Sequence, residues 1–268
     1  MFGAITPAVR NLLIINIGIF FIESFIGIPF RELFSLKYIF SDSFQPYQVF
    51  TYMFVHSSGF GHIFGNMLGL FFFGPILENH FGSNKFLIFY LVCGIGAGLL
   101  HGAIDYIEVQ QMESAIASFK AAPTPEKFLA FANEYANGFT DARFQKYYDL
   151  VNKVYPDNPN DAIVLSNVTG VMESLKDSIV HYSSMLGASG AVLGVLMGFG
   201  LLFPNMEVRI LFFPFFPIKA IYLVTFYAAF EIYSILERNP NDNVAHFAHL
   251  GGMLFAFILI KFDLLKVK

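Results

Sequence analysis

Three stretches of this chain set residues capable of chemistry among small ones: GHIFGNMLG from Gly61, MLGASGAVLGVLMG from Met185 and NVAHFAHLGG from Asn243. The first carries His62 and Asn66, four apart and so on one face of a helix. The second carries one hydroxyl, Ser189, and the third His246 and His249, about one turn apart. A serine hydroxyl becomes a useful nucleophile only when a base takes its proton, and imidazole is the side chain suited to that near neutral pH. The oxyanion formed at an attacked carbonyl needs donors. Asn66 and His62 can supply them, helped by the backbone N–H of Ser189 near a helix N-terminus. A nucleophile, a base and two oxyanion donors are the parts of acyl transfer. No carboxylate is expected beside either histidine motif, because Asp242 stands at a helix mouth and Glu231 reads as much deeper. The pattern therefore predicts a Ser–His dyad rather than a triad. A metalloprotease site is weakly supported, with no HExxH and only one cysteine, Cys93. An ion or proton pathway lined by His62, His246 and His249 is the stronger rival, but it leaves the Gly-Ala-Ser-Gly context without a purpose.

The elements that must hold these residues are membrane helices. Of the 268 residues, 56% are hydrophobic and 13% charged, far below the roughly 25% charge of soluble domains. Six segments are long and apolar enough to span a bilayer, near 8–29, 61–79, 86–104, 185–203, 217–236 and 244–262. The first reads as an uncleaved signal anchor. Segments two, four and six enter from the same side and carry their polar residues in the first two turns. At 1.5 Å per residue, Asn66, Ser189 and His249 lie roughly 6–8 Å below the helix ends, at one depth. Gly61, Gly65 and Gly69, and likewise Gly190, Gly194 and Gly198, recur every four residues; such faces let helix backbones approach closely in lipid.

An even number of spans puts both termini on one side. That side carries Arg10, Lys85, Arg209, Lys219, Lys261, Lys266 and Lys268; the short loops opposite carry only Arg31, Lys37 and Arg238, which predicts cytoplasmic termini. A plasma-membrane location follows as the expectation. The net charge of −4, without a basic run, argues against nucleic acid. Residues 105–184 form a long loop with 11 acidic and six basic residues. Phe144, Tyr147, Tyr148, Val151, Val154 and Tyr155 repeat at helical spacing, as do Val164, Leu165, Val168, Val171, Met172 and Leu175. The loop therefore reads as a helical insertion on the outer side, dividing the chain into 1–104, 105–184 and 185–268. Asn167-Val168-Thr169 is a glycosylation sequon.

HIFGN at 62–66, GASG at 187–190 and AHLGG at 248–252, in that order on alternate membrane helices, resemble a rhomboid intramembrane serine protease. The stretch from Pro46 to Asn66 resembles that family's first outer loop, and ENHFGS at 78–83 the turn after its second helix. The resemblance implies an all-α bundle of six transmembrane helices, with Ser189 as nucleophile, His249 as base, and His62 and Asn66 on the oxyanion side. It also matches His56 to a further family histidine and leaves His246 outside the dyad. It implies cleavage of transmembrane segments of other membrane proteins near the outer face, without metal or organic cofactor. Tyr47-Gln48 stands where the family often has Trp-Arg, and Leu193 where an aromatic often stacks on the base. A non-catalytic relative that binds membrane segments is the alternative within the family, and such relatives usually lose the serine or the histidine.

Overall fold

The computed structural model describes residues 5–135, 154–182, 184–210, 213–237, 242 and 244–265. The chain is mostly helical. Helix α1 (Pro7–Ile26) begins on a proline, whose missing N–H costs nothing at a helix start. Two short helices, α2 (Phe30–Phe34) and α3 (Gln48–Thr51), and a two-residue strand β1 (Leu36–Lys37) form the following loop. Helices α4 (Phe60–Phe81) and α5 (Ser83–Ala121) come next, then α6 (Pro125–Tyr135), α7 (Tyr155–Asp157) and α8 (Ala162–Tyr182). Strand β2 (Ser184–Met185) leads into α9 (Ser189–Leu202). A hairpin of β3 (Glu207–Ile210) and β4 (Phe213–Lys219) precedes α10 (Ala220–Glu237), and α11 (His246–Lys261) follows.

An apolar helix occurs at each of the six segments read from the sequence. Of these, α1, α4, α5 and α10 are long and apolar enough to cross a membrane, while α9 and α11 are shorter. The 14 residues of α9 rise about 21 Å, less than a hydrocarbon core of about 30 Å. This short helix is the centre of the bundle, packed chiefly on α11 and α5 and then on α4. Its glycines make that possible. A Cβ on Gly190 would stand 2.5 Å from Cβ of Ala97, one on Gly194 2.6 Å from Cβ of Cys93, and one on Gly198 2.8 Å from Phe89. A Cβ on Gly252 of α11 would collide with the Gly190 carbonyl. The glycine repeat of α4 behaves differently. Only Gly69 abuts a neighbour, Val192, whereas a Cβ on Gly61 or Gly65 would meet nothing within 4 Å.

Two boundaries differ from those read in the sequence. The fifth segment becomes helical at Ala220 rather than 217, because the preceding residues pair in the hairpin, Glu207 with Lys219 and Val208 with Ile218. Pro214 and Pro217 lie in that hairpin, and proline cannot supply the N–H that a helix interior requires. Helix α5 runs unbroken through residues 104 and 105 to Ala121, so the long loop starts as an extension of a bundle helix. On that extension Met112, Ile116 and Phe119 join Phe128, Phe131, Tyr155, Val168, Val171, Met172 and Leu175 in a separate apolar cluster. The periodicity at 164–175 corresponds to α8. That at 144–155 lies outside the described residues except for Val154 and Tyr155.

Opposite the end where α9 begins, one buried carboxylate ties three elements together. Glu78 of α4 accepts the Ala8 and Val9 N–H groups at 2.9 Å, the Thr6 hydroxyl at 2.5 Å and the Ser83 hydroxyl at 2.6 Å. It thereby caps α1, whose first N–H groups have no acceptor within the helix.

Candidate active site

The approach to Ser189 is held at three points. Leu36 pairs with Met185 and Lys37 with Ser184 in the β1–β2 ladder. The Gly187 N–H donates to the carbonyl of Tyr52 at 3.0 Å. The hydroxyl of the buried Tyr52 donates in turn to the Gly94 carbonyl of α5 at 2.6 Å. Gly187 has φ of 120°, a conformation that disfavours any residue with a Cβ. The turn it makes leaves Ser189 as the first residue of α9, where backbone N–H groups are unpaired and the helix dipole is positive.

Ser189 and His249 meet as the sequence predicts. The Ser189 Oγ lies 2.8 Å from Nε2 of His249, across the glycine contact between α9 and α11. His249 is also bound on its other side, where Nδ1 stands 3.0 Å from Oε1 of Glu231 on α10. This corrects the expectation that no carboxylate stands near the histidines: Glu231 touches both. Its Oε2 is 2.5 Å from Nδ1 of His246, whose Nε2 is 3.0 Å from Oδ2 of Asp242. Asp242 accepts the Val244 N–H at the entry to α11, and the His246 imidazole beside it holds its carboxyl below the usual carboxylate range. His246 thus pairs with the carboxylates and not with Ser189, as its place outside the dyad implied.

A signal for Glu231 was present in the sequence. It lies six residues before the end of α10, about 9 Å along the axis, while His249 is three residues, about 4.5 Å, into α11. Measured from the outgoing end of the fifth segment, the carboxylate lies less than one helical turn deeper than the base. It also shares the buried face of α10 with Ala220, Val224 and Ser234, while Tyr222, Phe226, Phe230 and Tyr233 are exposed.

His62 and Asn66 reach the same place from α4. A Cβ on Gly187 would stand 2.7 Å from His62 Nε2 and 3.8 Å from Asn66 Nδ2, so both side chains line the space just before Ser189. The Ser57 N–H donates to His62 Nδ1 at 3.3 Å, and the Ser57 hydroxyl lies 3.0 Å from the same atom. With its lone pair at Nδ1, the neutral ring carries its proton on Nε2, facing Gly187. Among the described residues, Asn66 Nδ2 is buried without a hydrogen-bond partner. A buried donor left open in this way costs stability, and it is the kind of group that an oxyanion satisfies. His56 lies behind, its ring 5.2 Å from that of His62 in an edge-on contact. Burial, reinforced by the neighbouring His62, pushes its pKa down to about 3, which keeps it neutral at ordinary pH. His56 therefore packs against His62 and supplies no charge.

Among the described residues, Glu231, His246 and His249 bring three potential ligand atoms within 4.8 Å of one another. Their N···O separations are hydrogen-bond distances, so carboxylate and imidazoles already satisfy each other.

The family model for the Rhomboid domain matches residues 43–108 and 160–265. Ser189, His249, Glu231, His246, Asp242, His62, Asn66 and His56 all fall in those two ranges, and the interval between the ranges lies within the long insertion. No curated protein and no solved structure is similar enough to the chain to be matched with it. With both site-bearing halves matched, the chain belongs to the rhomboid family, whose members are mostly intramembrane serine proteases.

Proposed function

We propose that the protein is an intramembrane serine endopeptidase in which Ser189 is the nucleophile and His249 the base. The observation that carries this reading is the 2.8 Å pair of Ser189 Oγ and His249 Nε2, beside open donors on His62 and Asn66. As Oγ bonds to the peptide carbonyl carbon, its proton passes to Nε2. The carbonyl oxygen, now an oxyanion, is received by Asn66 Nδ2, His62 Nε2 and the Ser189 N–H. Collapse breaks the C–N bond, and Nε2 returns the proton to the leaving amine; water then repeats the sequence on the acyl ester.

The substrate class is a transmembrane segment of another membrane protein, reached from the bilayer and cut near the outer face. Supporting this are the lipid-compatible exposure of α1 and α10 and the site at the helix ends. The accompanying topology is six spans with cytoplasmic termini, in the plasma membrane, with 105–184 as an outer insertion. No metal or organic cofactor takes part.

The test is cleavage of a model transmembrane substrate by the protein purified in detergent. Ser189→Ala and His249→Ala are each expected to reduce turnover by at least about a thousandfold. Undiminished cleavage by either variant sinks the assignment, and so does an inactive wild-type protein.

A further inference from the structure

We infer that Glu231 is a positioning residue for the general base, holding His249 in the tautomer whose lone pair faces Ser189. The inference rests on the protease reading above and adds a group from a helix that this reading does not use.

A carboxylate has no proton to donate at neutral pH, so the 3.0 Å contact between His249 Nδ1 and Glu231 Oε1 is made by an Nδ1–H donor. In the neutral ring this leaves Nε2 with a lone pair, and Nε2 is the atom that faces Ser189. Without that acceptor, nothing in the described surroundings of Nδ1 selects this tautomer, and the ring is free to carry its proton toward Ser189, where it cannot act as base. The same carboxylate stabilises the imidazolium that forms when Ser189 gives up its proton.

Glu231 is itself held in place. Its second oxygen faces His246 Nδ1 at 2.5 Å, and the far nitrogen of His246 meets Asp242. The groups facing Glu231 are thus His249 and His246 of α11, with Asp242 behind and His62 of α4 beyond His249. Two histidines one turn apart grip one carboxylate from both sides, which sets its rotamer. A carboxylate on a membrane helix is costly unless paired, and here both partners belong to the site.

The experiment compares wild type, Glu231→Gln, Glu231→Asp and Ser189→Ala in detergent, measuring kcat, KM, their pH profiles and the melting temperature. In parallel, 15N-histidine NMR reads the His249 tautomer, assigned against His249→Asn. Glu231→Gln is expected to lower kcat about a hundredfold with KM within twofold, to displace the acid limb of the kcat profile, and to weaken the Nδ1–H signature of His249. Glu231→Asp is expected to recover part of kcat. A Glu231→Gln protein that keeps wild-type kcat and pH profile overturns the inference, whatever its spectrum, while the Ser189→Ala result keeps the protease reading intact. If wild type does not cleave, the protease reading falls and the tautomer alone decides: an unchanged His249 signal in Glu231→Gln then overturns the positioning role.

Discussion

Two carboxylates are buried in this helical bundle to almost the same extent, Glu78 at 3% exposure and Glu231 at 4%, and they do different things. Glu78 accepts from two backbone N–H groups and two hydroxyls, none of which ionises in the working pH range. Its contacts have one state, and they cap a helix. Glu231 faces two imidazoles, one of which also meets Ser189. Its partners are imidazole rings, so on the proposed reading the same buried charge fixes the orientation of a base. The lesson is that burial of a charge does not assign its role; the chemistry of the donors does.

That contrast can be broken by experiment. Between the two carboxylates, the larger effect on turnover is expected for Glu231→Gln, with kcat reduced about a hundredfold, equivalent to about 2.7 kcal/mol of barrier, and a melting temperature close to wild type because the amide fills the same space. Glu78→Ala should do the opposite. Leaving the α1 donors without their acceptor should lower stability by about 2–3 kcal/mol, seen as a fall in melting temperature, while kcat per folded molecule stays within twofold. Equal kcat losses in the two variants would erase the distinction.

His56 sharpens the comparison, as a buried group that can titrate but is held neutral. Its folded pKa of about 3 lies below the ordinary value of 6.5, so the unfolded chain binds the extra proton first. Its stabilising contribution is therefore fully present above pH 6.5 and is lost as pH falls from there toward 3, by at most about 1.4 kcal/mol per pH unit. Melting temperatures across that range should show a shallower acid slope in His56→Gln than in wild type. The smallest effect belongs to Asp242, which is exposed and reaches the base only through His246 and Glu231. Asp242→Asn should change kcat no more than about fivefold, in line with the weakness of exposed ion pairs. A hundredfold loss there would move the essential charge from Glu231 to the helix mouth.

Much of the site is legible in the sequence. Depth arithmetic puts Asn66, Ser189 and His249 at one level, and the glycines at 190, 194 and 198 mark the close face that brings α9 to its neighbours. The same glycine rule fails for Gly61 and Gly65 of α4, because spacing reports where a close approach is possible and not whether a neighbour takes it. The depth of Glu231 can be counted from the end of the fifth segment, but its partner cannot be read there, because the contact is made between α10 and α11 and periodicity along one helix carries no record of which residue faces it. The start of α10 is displaced because hydropathy does not register hairpin pairing across Pro214 and Pro217.

By itself the sequence determined the class of the molecule and its reactive inventory: apolar helices, one serine in a small-residue context, histidines at matching depth and the rhomboid motifs. These are properties of composition and of position along a helix, which rise and periodicity convert directly into depth and face. Only the tertiary structure decided which nitrogen of His249 meets Ser189, which acceptor holds the other, and that His246 and His249 share one carboxylate. Those choices depend on the rotation and approach of three helices to within about 3 Å, a precision set by side-chain packing between elements and by no single stretch of chain.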